Sequence, residues 1–265
     1  MVVDEHIDSL PQNKGIQEAL TPAKVRDSWD FEYCNNPQTD WERLPLNDQF
    51  EFIKVQKIDF TNLHNILEIG CGRGYRTLYM LLKEARLNRN DVRLTAIDIS
   101  PNAIESAQRS LQAFNDNYAI PTSIAYLFNS KPCALQCQMA FEVADIIRLP
   151  THLANQKYDL GVDWMCFHDF PIGLREAYVD IVEKLCGHWF ILNVFSHREA
   201  SPVKELGYAI PEVIKYAFRN EDIGRLFPNF DIVNMTDTCE ENVEPDPPHS
   251  DGKVSAKRAY LLRRH

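Results

Sequence analysis

Residues 66–77, ILEIGCGRGYRT, constrain the fold of this chain more than any other segment. They begin with a short apolar run typical of a buried strand, pass through Gly70, Gly72 and Gly74, and continue into a segment of helical period. Glycine loses more backbone entropy on folding than other residues do, and a ligand held against the backbone would explain that cost. A turn of this kind also aims the N–H groups of the following helix at the ligand. The segment therefore predicts a strand, a ligand-binding turn and a helix.

The rest of the chain alternates short apolar runs with segments of helical period, which is typical of parallel strands joined by crossover helices. The predicted strands are residues 65–70, 93–99, 140–146, 158–165, 188–195, 230–235 and 256–264. The predicted helices are residues 75–86, 100–114 and 174–186, with Ser100 as an N-cap, Pro101 as a first helical residue and Gly187 as a stop. A polar, Pro-rich loop separates the last two strands, which are expected to pair as an antiparallel hairpin. The expected fold class is α/β, with a mostly parallel seven-stranded sheet, helices on both faces and this C-terminal hairpin.

Two polar segments frame the expected domain. Residues 1–27 contain Pro11, Gly15 and Pro22 and are predicted to form an N-terminal arm, whereas residues 28–265 are predicted to form one domain. Residues 119–139 are long for a connection between a helix and a strand, so they are expected to be an extra hairpin or a functional loop.

The composition excludes several classes of function. The chain has 28 Lys and Arg against 38 Asp and Glu, a formal net charge of −10, so neither a nucleic acid nor an anionic membrane is an expected partner. No stretch approaches the roughly 20 apolar residues that span a membrane. Asp4 and Glu5 lie where a secretory signal carries basic residues, so the expected location is the cytoplasm. The cysteines number 7 and lack zinc-finger spacing, so reduced thiols and no metal site are expected.

The spacing of the glycines separates two classes of nucleotide-binding protein. A dinucleotide site requires its third glycine one position after Gly74, where this chain has Tyr75, so that pattern is incomplete. Glu68 before the glycines and Asp98 at the end of the next predicted strand complete a different pattern, which resembles the class I S-adenosylmethionine (SAM)-dependent methyltransferases. The resemblance covers residues 29–265. It implies a Rossmann-like methyltransferase fold, SAM as the cofactor, S-adenosylhomocysteine (SAH) as its product and no metal.

The resemblance also implies which residues contact the cofactor. The glycine turn would line the methionine part of SAM, Asp98 would accept hydrogen bonds from the ribose hydroxyls, and Asp145 would accept one from the adenine amino group, with Ile146 near the ring. The implied contacts are Glu68, Gly70, Cys71, Gly72, Gly74, Asp98, Ile99, Asp145, Ile146, Asp163 and Trp41. Two simpler interpretations stay open, since Asp98 could terminate a strand and Asp145 could be a helix N-cap.

The segment after the fourth predicted strand resembles the thiopurine S-methyltransferase-like branch and its bacterial small-molecule relatives. The matching residues are Asp163, Cys166, Phe167, His168, Arg175, Tyr178, Phe195 and Ser196. The chain departs from the branch at Trp164 and Met165, where Arg and Gly are usual, and this weighs against a thiopurine-like substrate. The implied substrate contacts are Trp164, Phe167, His168 and Tyr208.

Two further segments resemble the covers of the family's site. Residues 28–60 resemble its Trp-containing lead segment, which folds over the cofactor, and residues 197–228 are expected to form a lid over the substrate. Trp29, Tyr33 and Trp41 are candidates for SAM contact because aromatic faces attract a sulfonium cation, and Trp41 is favoured. For Trp29 and Tyr33, anchoring of the arm on the core is an equal alternative.

Methyl transfer from a sulfonium is an in-line displacement, in which an enzyme mainly holds the nucleophile about 3–3.5 Å from the methyl carbon and excludes water. A thiol ionises readily, whereas an alcohol or amine more often needs a base. His168 and Asp163 are the candidate catalytic residues and His197 is a weaker one, with a structural hydrogen bond as the alternative role of His168. The sequence predicts methylation of a small-molecule thiol or other soft nucleophile by a monomer or homodimer. The alternatives are O- or N-methylation, a NAD-binding oxidoreductase and a SAM-binding protein without catalysis.

Overall fold

The computed structural model of the protein describes residues 22–36, 47–56, 58–84, 86–117, 134–196, 204–210, 213–238 and 256–265. The strands in these residues are β1 (Asn65–Ile69), β2 (Arg93–Asp98), β3 (Gln138–Val143), β4 (Tyr158–Trp164), β5 (Cys186–Ser196), β6 (Lys204–Ile210), β7 (Val213–Phe218), β8 (Phe230–Thr238) and β9 (Ala256–Arg264). The α-helices are α1 (Pro22–Asn35), α2 (Asn47–Val55), α3 (Tyr75–Lys83), α4 (Pro101–Asn117), α5 (Thr151–Ala154), α6 (Arg175–Leu185) and α7 (Asn220–Leu226). Short 3-10 helices occupy Phe60–Asn62, Ile146–Arg148, Phe167–Asp169 and Ile172–Leu174.

The strands form one sheet in which β3-β2-β1-β4-β5 lie side by side in parallel, and β7 also pairs parallel with the end of β5. β9 pairs antiparallel with β5 on one edge and with β8 on the other, which confirms the predicted C-terminal hairpin. The chain moves outward from β1 to β3 and then returns to the other side of β1 with β4. Loops that leave the carboxyl ends of β1 and β4 therefore diverge to opposite sides, and the crevice between them is where ligands bind in open α/β sheets.

The helices cover both faces of the sheet, as predicted. On one face, Tyr178, Val179 and Val182 of α6 pack with Phe190 and other apolar strand residues. The opposite core contains Ile53 of α2, Met80 of α3 and Ile104 of α4. Alternate residues of each strand enter alternate cores, since side chains along a strand point to opposite faces.

The predicted start of α4 is confirmed by its capping contacts. Pro101 is the first helical residue, and the Ser100 hydroxyl accepts a hydrogen bond from Ala103 N at 3.1 Å. A Ser side chain at this position satisfies one of the N–H groups that a helix leaves without a partner in its first turn. The third predicted helix ends at Leu185, one residue before its expected limit, because Cys186 already belongs to β5.

The expected number of strands needs a correction, because the described part of the sheet has nine. The additional strands, β6 and β7, form an antiparallel hairpin inside residues 197–228, the segment assigned to a lid. β7 pairs with the last residues of β5, Phe195 and Ser196, beyond the point where β4 has ended. The hairpin thus extends the sheet past its carboxyl edge, and its pairing depends on a distant strand end that the local sequence does not reveal.

Two expectations about segment boundaries meet the structure only in part. α1 begins at Pro22, so the boundary predicted between residues 27 and 28 falls inside a helix. Of the long connection at residues 119–139, only the last part is described, and β3 already begins there, at Gln138. The choice between a hairpin and a loop for residues 119–133 lies outside the described residues.

Candidate functional site

The glycine turn after β1 has a backbone that other residues would adopt only with strain. Gly70, Gly72 and Gly74 have φ values of 71°, 54° and 69°, all in the left-handed region. Space is also limited, because a Cβ on Gly70 would lie 2.5 Å from the Cβ of Cys166 and one on Gly74 would lie 2.4 Å from the ring of Phe141. The turn is therefore held close against its neighbours, with its backbone at the mouth of the crevice.

Asp98 connects the two loops that leave β1 and β2. Its carboxylate accepts hydrogen bonds from Gly72 N at 2.8 Å and from Ser100 N at 2.9 Å. Burial raises the pKa of Asp98 to about 6, with the hydrogen bonds from Ser100 and Gly72 opposing the shift and the nearby Asp30 carboxylate adding to it. One carboxylate thus orders both loops at the carboxyl edge of the sheet.

Glu68 and Cys71 lie beneath and within the turn. Glu68 is buried in β1, and its carboxylate accepts a hydrogen bond from the hydroxyl of Thr77 in α3. Burial raises the pKa of the Cys71 thiol well above its ordinary value, and the carboxylates of Asp98 and Glu68 raise it further. Cys71 is therefore a neutral thiol at physiological pH.

Asp145 and Ile146 follow β3, at the side of the crevice where the resemblance places adenine. Asp145 is half-buried and caps the 3-10 helix Ile146–Arg148, since its side chain accepts a hydrogen bond from Ile147 N at 2.9 Å. Ile146 is buried in the core, and Ile99 is half-buried after β2. The N-cap role that the sequence left open for Asp145 is thus present in the structure.

Asp163 lies at the end of β4, with its carboxylate surrounded by donors. It accepts hydrogen bonds from Cys166 N at 2.9 Å, from Phe167 N at 3.2 Å and from the Tyr178 hydroxyl at 2.5 Å. Burial raises the pKa of Asp163 to about 6, and these hydrogen bonds oppose the shift. The carboxylate shapes the loop after β4 and fixes that loop to α6.

Trp164 and Met165 follow Asp163 and differ sharply in conformation. Trp164 faces the core on the opposite side of the sheet, where its ring centroid lies 6.1 Å from that of Phe52. Met165 has a φ of 75°, the only left-handed value among the described non-glycine residues, and its N–H donates to Asn193 O at 3.0 Å. Met165 therefore has a backbone conformation that suits Gly and that other residues adopt with strain.

Phe167 and His168 are buried in the 3-10 helix after this loop. Phe167 lies at the centre of an aromatic cluster, with ring centroids 4.8 Å from Tyr178 and 5.4 Å from Phe218 of β7. His168 is 2% exposed, its Nε2 lies 3.4 Å from the carboxylate of Asp169, and its ring packs edge-on against Phe195. The structure thus places both residues in the packing that joins β4, β5 and β7.

The remaining candidates are distributed unevenly. Trp41 and His197 lie outside the described residues, and for Tyr208 only the backbone, in β6, is described. Trp29 and Tyr33 are half-buried on α1, with ring centroids 6.4 Å apart. A Cβ on Gly72 would lie 2.7 Å from the Tyr33 hydroxyl oxygen, so of these aromatic residues Tyr33 is the one shown against the glycine turn.

Two residues that sequence reasoning missed connect α1 to the site. Asp30 accepts hydrogen bonds from the Ser100 hydroxyl at 2.8 Å and from Asn102 N at 2.9 Å, at the start of α4. Arg73, inside the glycine turn, donates to the carbonyl oxygens of Tyr33 at 2.8 Å and of Asn36. An arginine between two of the glycines was a visible signal, whereas nothing in the local sequence distinguished Asp30.

The described residues contain neither a metal-binding cluster nor a membrane-spanning helix. No group of three or more His, Cys, Asp or Glu side chains in these ranges could hold a metal ion. None of the helices that the structure describes is both long enough and apolar enough to cross a membrane.

The chain resembles solved structures although its sequence matches no known family. No family model matches it, and no curated protein sequence does. The magnesium protoporphyrin IX methyltransferase of Synechocystis PCC 6803, solved with bound SAM, is similar over 92% of this chain and 96% of its own, with 15% identity and a TM-score of 0.56. The 1,6-didemethyltoxoflavin-N1-methyltransferase of Burkholderia thailandensis, solved with its substrate and SAH, is similar over 91% of this chain and 88% of its own, with 17% identity and a TM-score of 0.56.

A third similar structure concerns the conversion of a disulfide bond into a thioacetal group during echinomycin biosynthesis. It is similar over 91% of this chain and 93% of its own, with 16% identity and a TM-score of 0.56. These likenesses show that the chain has the Rossmann-like methyltransferase fold, as the sequence predicted.

Proposed function

We propose that the protein is a SAM-dependent methyltransferase that acts on a small-molecule acceptor. The observation that carries this proposal is the crevice at the end of β1, where a turn with left-handed glycines meets the carboxylate of Asp98. Backbone this close to the crevice suits the methionine part of SAM, and a carboxylate suits the two ribose hydroxyls. The structures with this fold that were solved with SAM or SAH support the same cofactor.

The other proposed cofactor residues lie around this crevice in supporting positions. Glu68 lies beneath the turn and Cys71 lies within it, while Ile99, Asp145 and Ile146 border the side proposed for adenine. We propose that Asp163 acts indirectly, by fixing the loop that brings Cys166 against Gly70. For Trp41, the proposed contact with SAM rests on the resemblance.

A NAD-binding oxidoreductase fits these observations less well. A dinucleotide site has its third glycine where this chain has Tyr75, which packs beside Leu78 and Phe114 at the start of α3.

We propose a thiol or other soft nucleophile as the acceptor, as in the thiopurine S-methyltransferase-like branch. Asp163 already accepts three hydrogen bonds inside the protein, and His168 is buried against Phe195. Neither is therefore well placed to take a proton from an acceptor, and a thiol depends least on a base, because it is partly ionised near neutral pH. The similar structure that concerns thioacetal formation also involves sulfur chemistry. O- or N-methylation, with His168 as the base, is the second candidate.

The site is proposed to close from two directions. α1 would cover the cofactor as part of the lead segment, since Tyr33 contacts the glycine turn. The β6–β7 hairpin would cover the acceptor, since Phe218 of β7 stacks on Phe167, just after β4. We further propose that the enzyme works in the cytoplasm as a monomer or homodimer.

A methyl-transfer assay tests this proposal. The protein is incubated with SAM carrying a labelled methyl group and a panel of aliphatic and aromatic thiols, phenols and amines. Label in a thiol, with a rate unchanged by His168→Gln, is the expected result. Label only in phenols or amines, with activity lost in His168→Gln but kept in the control His152→Gln, would contradict thiol methylation. That result would favour O- or N-methylation with His168 as the base. His152 is a suitable control because its side chain is exposed and pairs with Glu142 of β3. SAH binding without transfer to any acceptor would favour a protein that binds SAM without catalysis.

A further inference from the structure

Arg73 lies at the centre of the glycine turn, yet its side chain leaves the turn and contacts α1. The residue is 5% exposed. Its Nη2 donates to the carbonyl oxygens of Tyr33, at 2.8 Å, and of Asn36, and its guanidinium lies 5.0 Å from the centroid of the Tyr33 ring. One side chain thus makes both polar and cation–π contacts with the end of the helix.

These contacts are placed where a helix accepts a cation best. The last carbonyl groups of a helix have no partner within it, and the helix dipole puts negative charge at that end. Tyr33 and Asn36 lie in and just after the last turn of α1, so Arg73 satisfies carbonyls that would otherwise require water. Hydrogen bonds from a buried cation are stronger than those between neutral groups, and the Tyr33 ring adds a cation–π attraction.

The same contacts bring Tyr33 onto the backbone that we propose to hold the cofactor. The hydroxyl oxygen of Tyr33 lies 2.7 Å from the place that a Cβ on Gly72 would occupy. Arg73 directly follows Gly72. Arg73 binds the backbone carbonyl of Tyr33, and Gly72 faces the hydroxyl of the same tyrosine. A displacement of the turn therefore displaces the end of α1.

A second contact fixes the middle of α1 to the neighbouring loop. Asp30 accepts hydrogen bonds from the Ser100 hydroxyl at 2.8 Å, and from Asn102 N and Asn102 Nδ2 at 2.9 Å each. The carboxylate lies at the start of α4, where the helix dipole favours a negative charge. Ser100 N also donates to Asp98, so this contact too joins α1 to the proposed cofactor site.

We propose that Arg73 is a positioning residue that holds α1 and Tyr33 over the glycine turn and thereby slows the release of SAM and SAH. This inference rests on the proposed function and assigns to Arg73 a role in the lifetime of the complex. Asp30 supports the same closure from the other loop. The binding rate depends mainly on access to the crevice, so the effect falls on dissociation.

The test compares SAH dissociation from the wild type with that from Arg73→Gln, Arg73→Lys and Asp30→Asn. The matched control is Arg26→Gln, because Arg26 is an exposed arginine on the same helix that pairs with Asp27. Rates are measured by surface plasmon resonance, and hydrogen exchange is measured for residues 22–36 with and without SAH. Arg73→Gln is expected to raise the dissociation rate roughly tenfold or more, with the association rate changed by less than about threefold. Arg73→Lys should restore part of the lifetime, because it keeps the charge but loses the paired hydrogen bonds.

Asp30→Asn separates closure by α1 from a change within the turn itself. It removes a contact of α1 that lies outside the glycine segment, so it should also raise the dissociation rate and the exchange of residues 22–36. Because the Asp30 carboxylate also raises the pKa of Asp98, dissociation is compared at pH 8, where Asp98 is ionised in both proteins. If the wild type binds SAH but dissociation from Arg73→Gln stays within about twofold of it, the inference is wrong and the proposed function stands. If Arg73→Gln releases SAH faster and Asp30→Asn does not, Arg73 acts on the turn alone and closure by α1 is wrong. A wild type that does not bind SAH overturns the proposed function and this inference with it.

Discussion

Asp98 lies at the end of β2 and Asp163 near the end of β4, both at the carboxyl edge of the sheet. Burial raises the pKa of each carboxyl to about 6. They differ in the groups that surround them. Asp98 is 7% exposed and accepts from the backbone of two loops, whereas Asp163 is fully buried and accepts from its own loop and from Tyr178. A raised pKa therefore does not by itself identify a ligand site. The hydrogen-bond donors around each carboxylate distinguish the two: Asp98 joins two loops at the crevice, whereas Asp163 stabilises the fold.

The same contrast extends to the two halves of the crevice. The end of β1 and β2 is built from glycine backbone and polar side chains. The end of β4 and β5 is filled by aromatic rings, with Phe167 packed against Tyr178, Phe218 and Phe227. The half proposed for the cofactor is therefore defined by backbone geometry, whereas the half proposed for the acceptor depends on how segments distant in sequence pack together.

The largest expected effect comes from Asp163→Ala. The change leaves two buried N–H groups and the Tyr178 hydroxyl without their acceptor, and it should lower the free energy of unfolding by about 3–5 kcal/mol. Asp98→Ala should lower it by only about 1–2 kcal/mol, because water in the crevice can replace the lost acceptor. Urea denaturation checks both values, with Tyr178→Phe as the control that removes a single donor. Equal losses at the two aspartates would remove the distinction between them.

The glycine turn offers the next largest effect. Gly74→Ala places a methyl group 2.4 Å from the Phe141 ring at a left-handed φ, so it should lower the free energy of unfolding by about 2–3 kcal/mol and abolish SAH binding. The matched control is Gly224→Ala in α7, where an added Cβ meets nothing within 4 Å. That change should stabilise the protein by about 0.5–1 kcal/mol, since Ala is the better helix former. Thermal unfolding of both variants makes the comparison, and similar shifts in the two would contradict it.

Met165 tests whether the loop at the end of β4 stores backbone strain. A β-branched side chain tolerates a φ of 75° poorly, so Met165→Val should lower the free energy of unfolding by about 2 kcal/mol. Met165→Gly relieves the strain but loses packing, so it should change stability by less than about 1 kcal/mol. Chemical denaturation distinguishes them, and a glycine variant less stable than the valine variant would show that side-chain packing dominates.

The pH dependence of SAH binding gives the smallest effect and separates the two carboxylates again. The proposed hydrogen bonds with the ribose hydroxyls require the ionised form of Asp98, whose pKa is about 6, so affinity should fall as the pH drops below 6, by about tenfold per pH unit. The decline should disappear in Asp98→Asn and persist in Asp163→Asn, as measured by calorimetry between pH 5 and 8. If the decline instead disappears in Asp163→Asn, the group that titrates is Asp163, which contradicts the assignment to Asp98.

The raised pKa values also fix the sign of the pH dependence of stability. Each carboxyl binds a proton more tightly in the folded chain than in the unfolded chain, where the pKa is about 3.9. Folding therefore becomes less favourable as the pH rises through the window from about 4 to 6, and Asp163→Asn should flatten this part of the stability curve.

Much of the fold could be predicted because it depends on local pattern. β9 has the predicted bounds, and the start of α4 follows from Ser100 and Pro101. β6 and β7 could not be predicted in this way, because they extend the sheet through contacts with the end of β5. From the sequence, residues 197–228 are assigned to a lid and no strands are predicted in it.

The glycine turn and Asp98 could be predicted because their sequence pattern reflects the backbone conformation and the chemical groups found there. For Trp164 the resemblance implied a contact with the substrate. Side chains alternate along β4, however, so Trp164 packs on the face of the sheet opposite to Asp163. Asp30 illustrates a different limit, because its partners in α4 lie about 70 residues away in sequence. Such contacts arise from tertiary packing and carry no local signal.

Calorimetric titration with SAM and SAH, with NADH as the control, tests the central claim most directly when the wild type, Asp98→Asn and Asp163→Asn are compared. The account predicts that the wild type binds both adenosyl ligands and not NADH. It also predicts that Asp98→Asn weakens this binding about tenfold or more, and that Asp163→Asn weakens it less. Binding of NADH alone, or SAH affinity unchanged in Asp98→Asn, would contradict the assignment of this crevice to SAM.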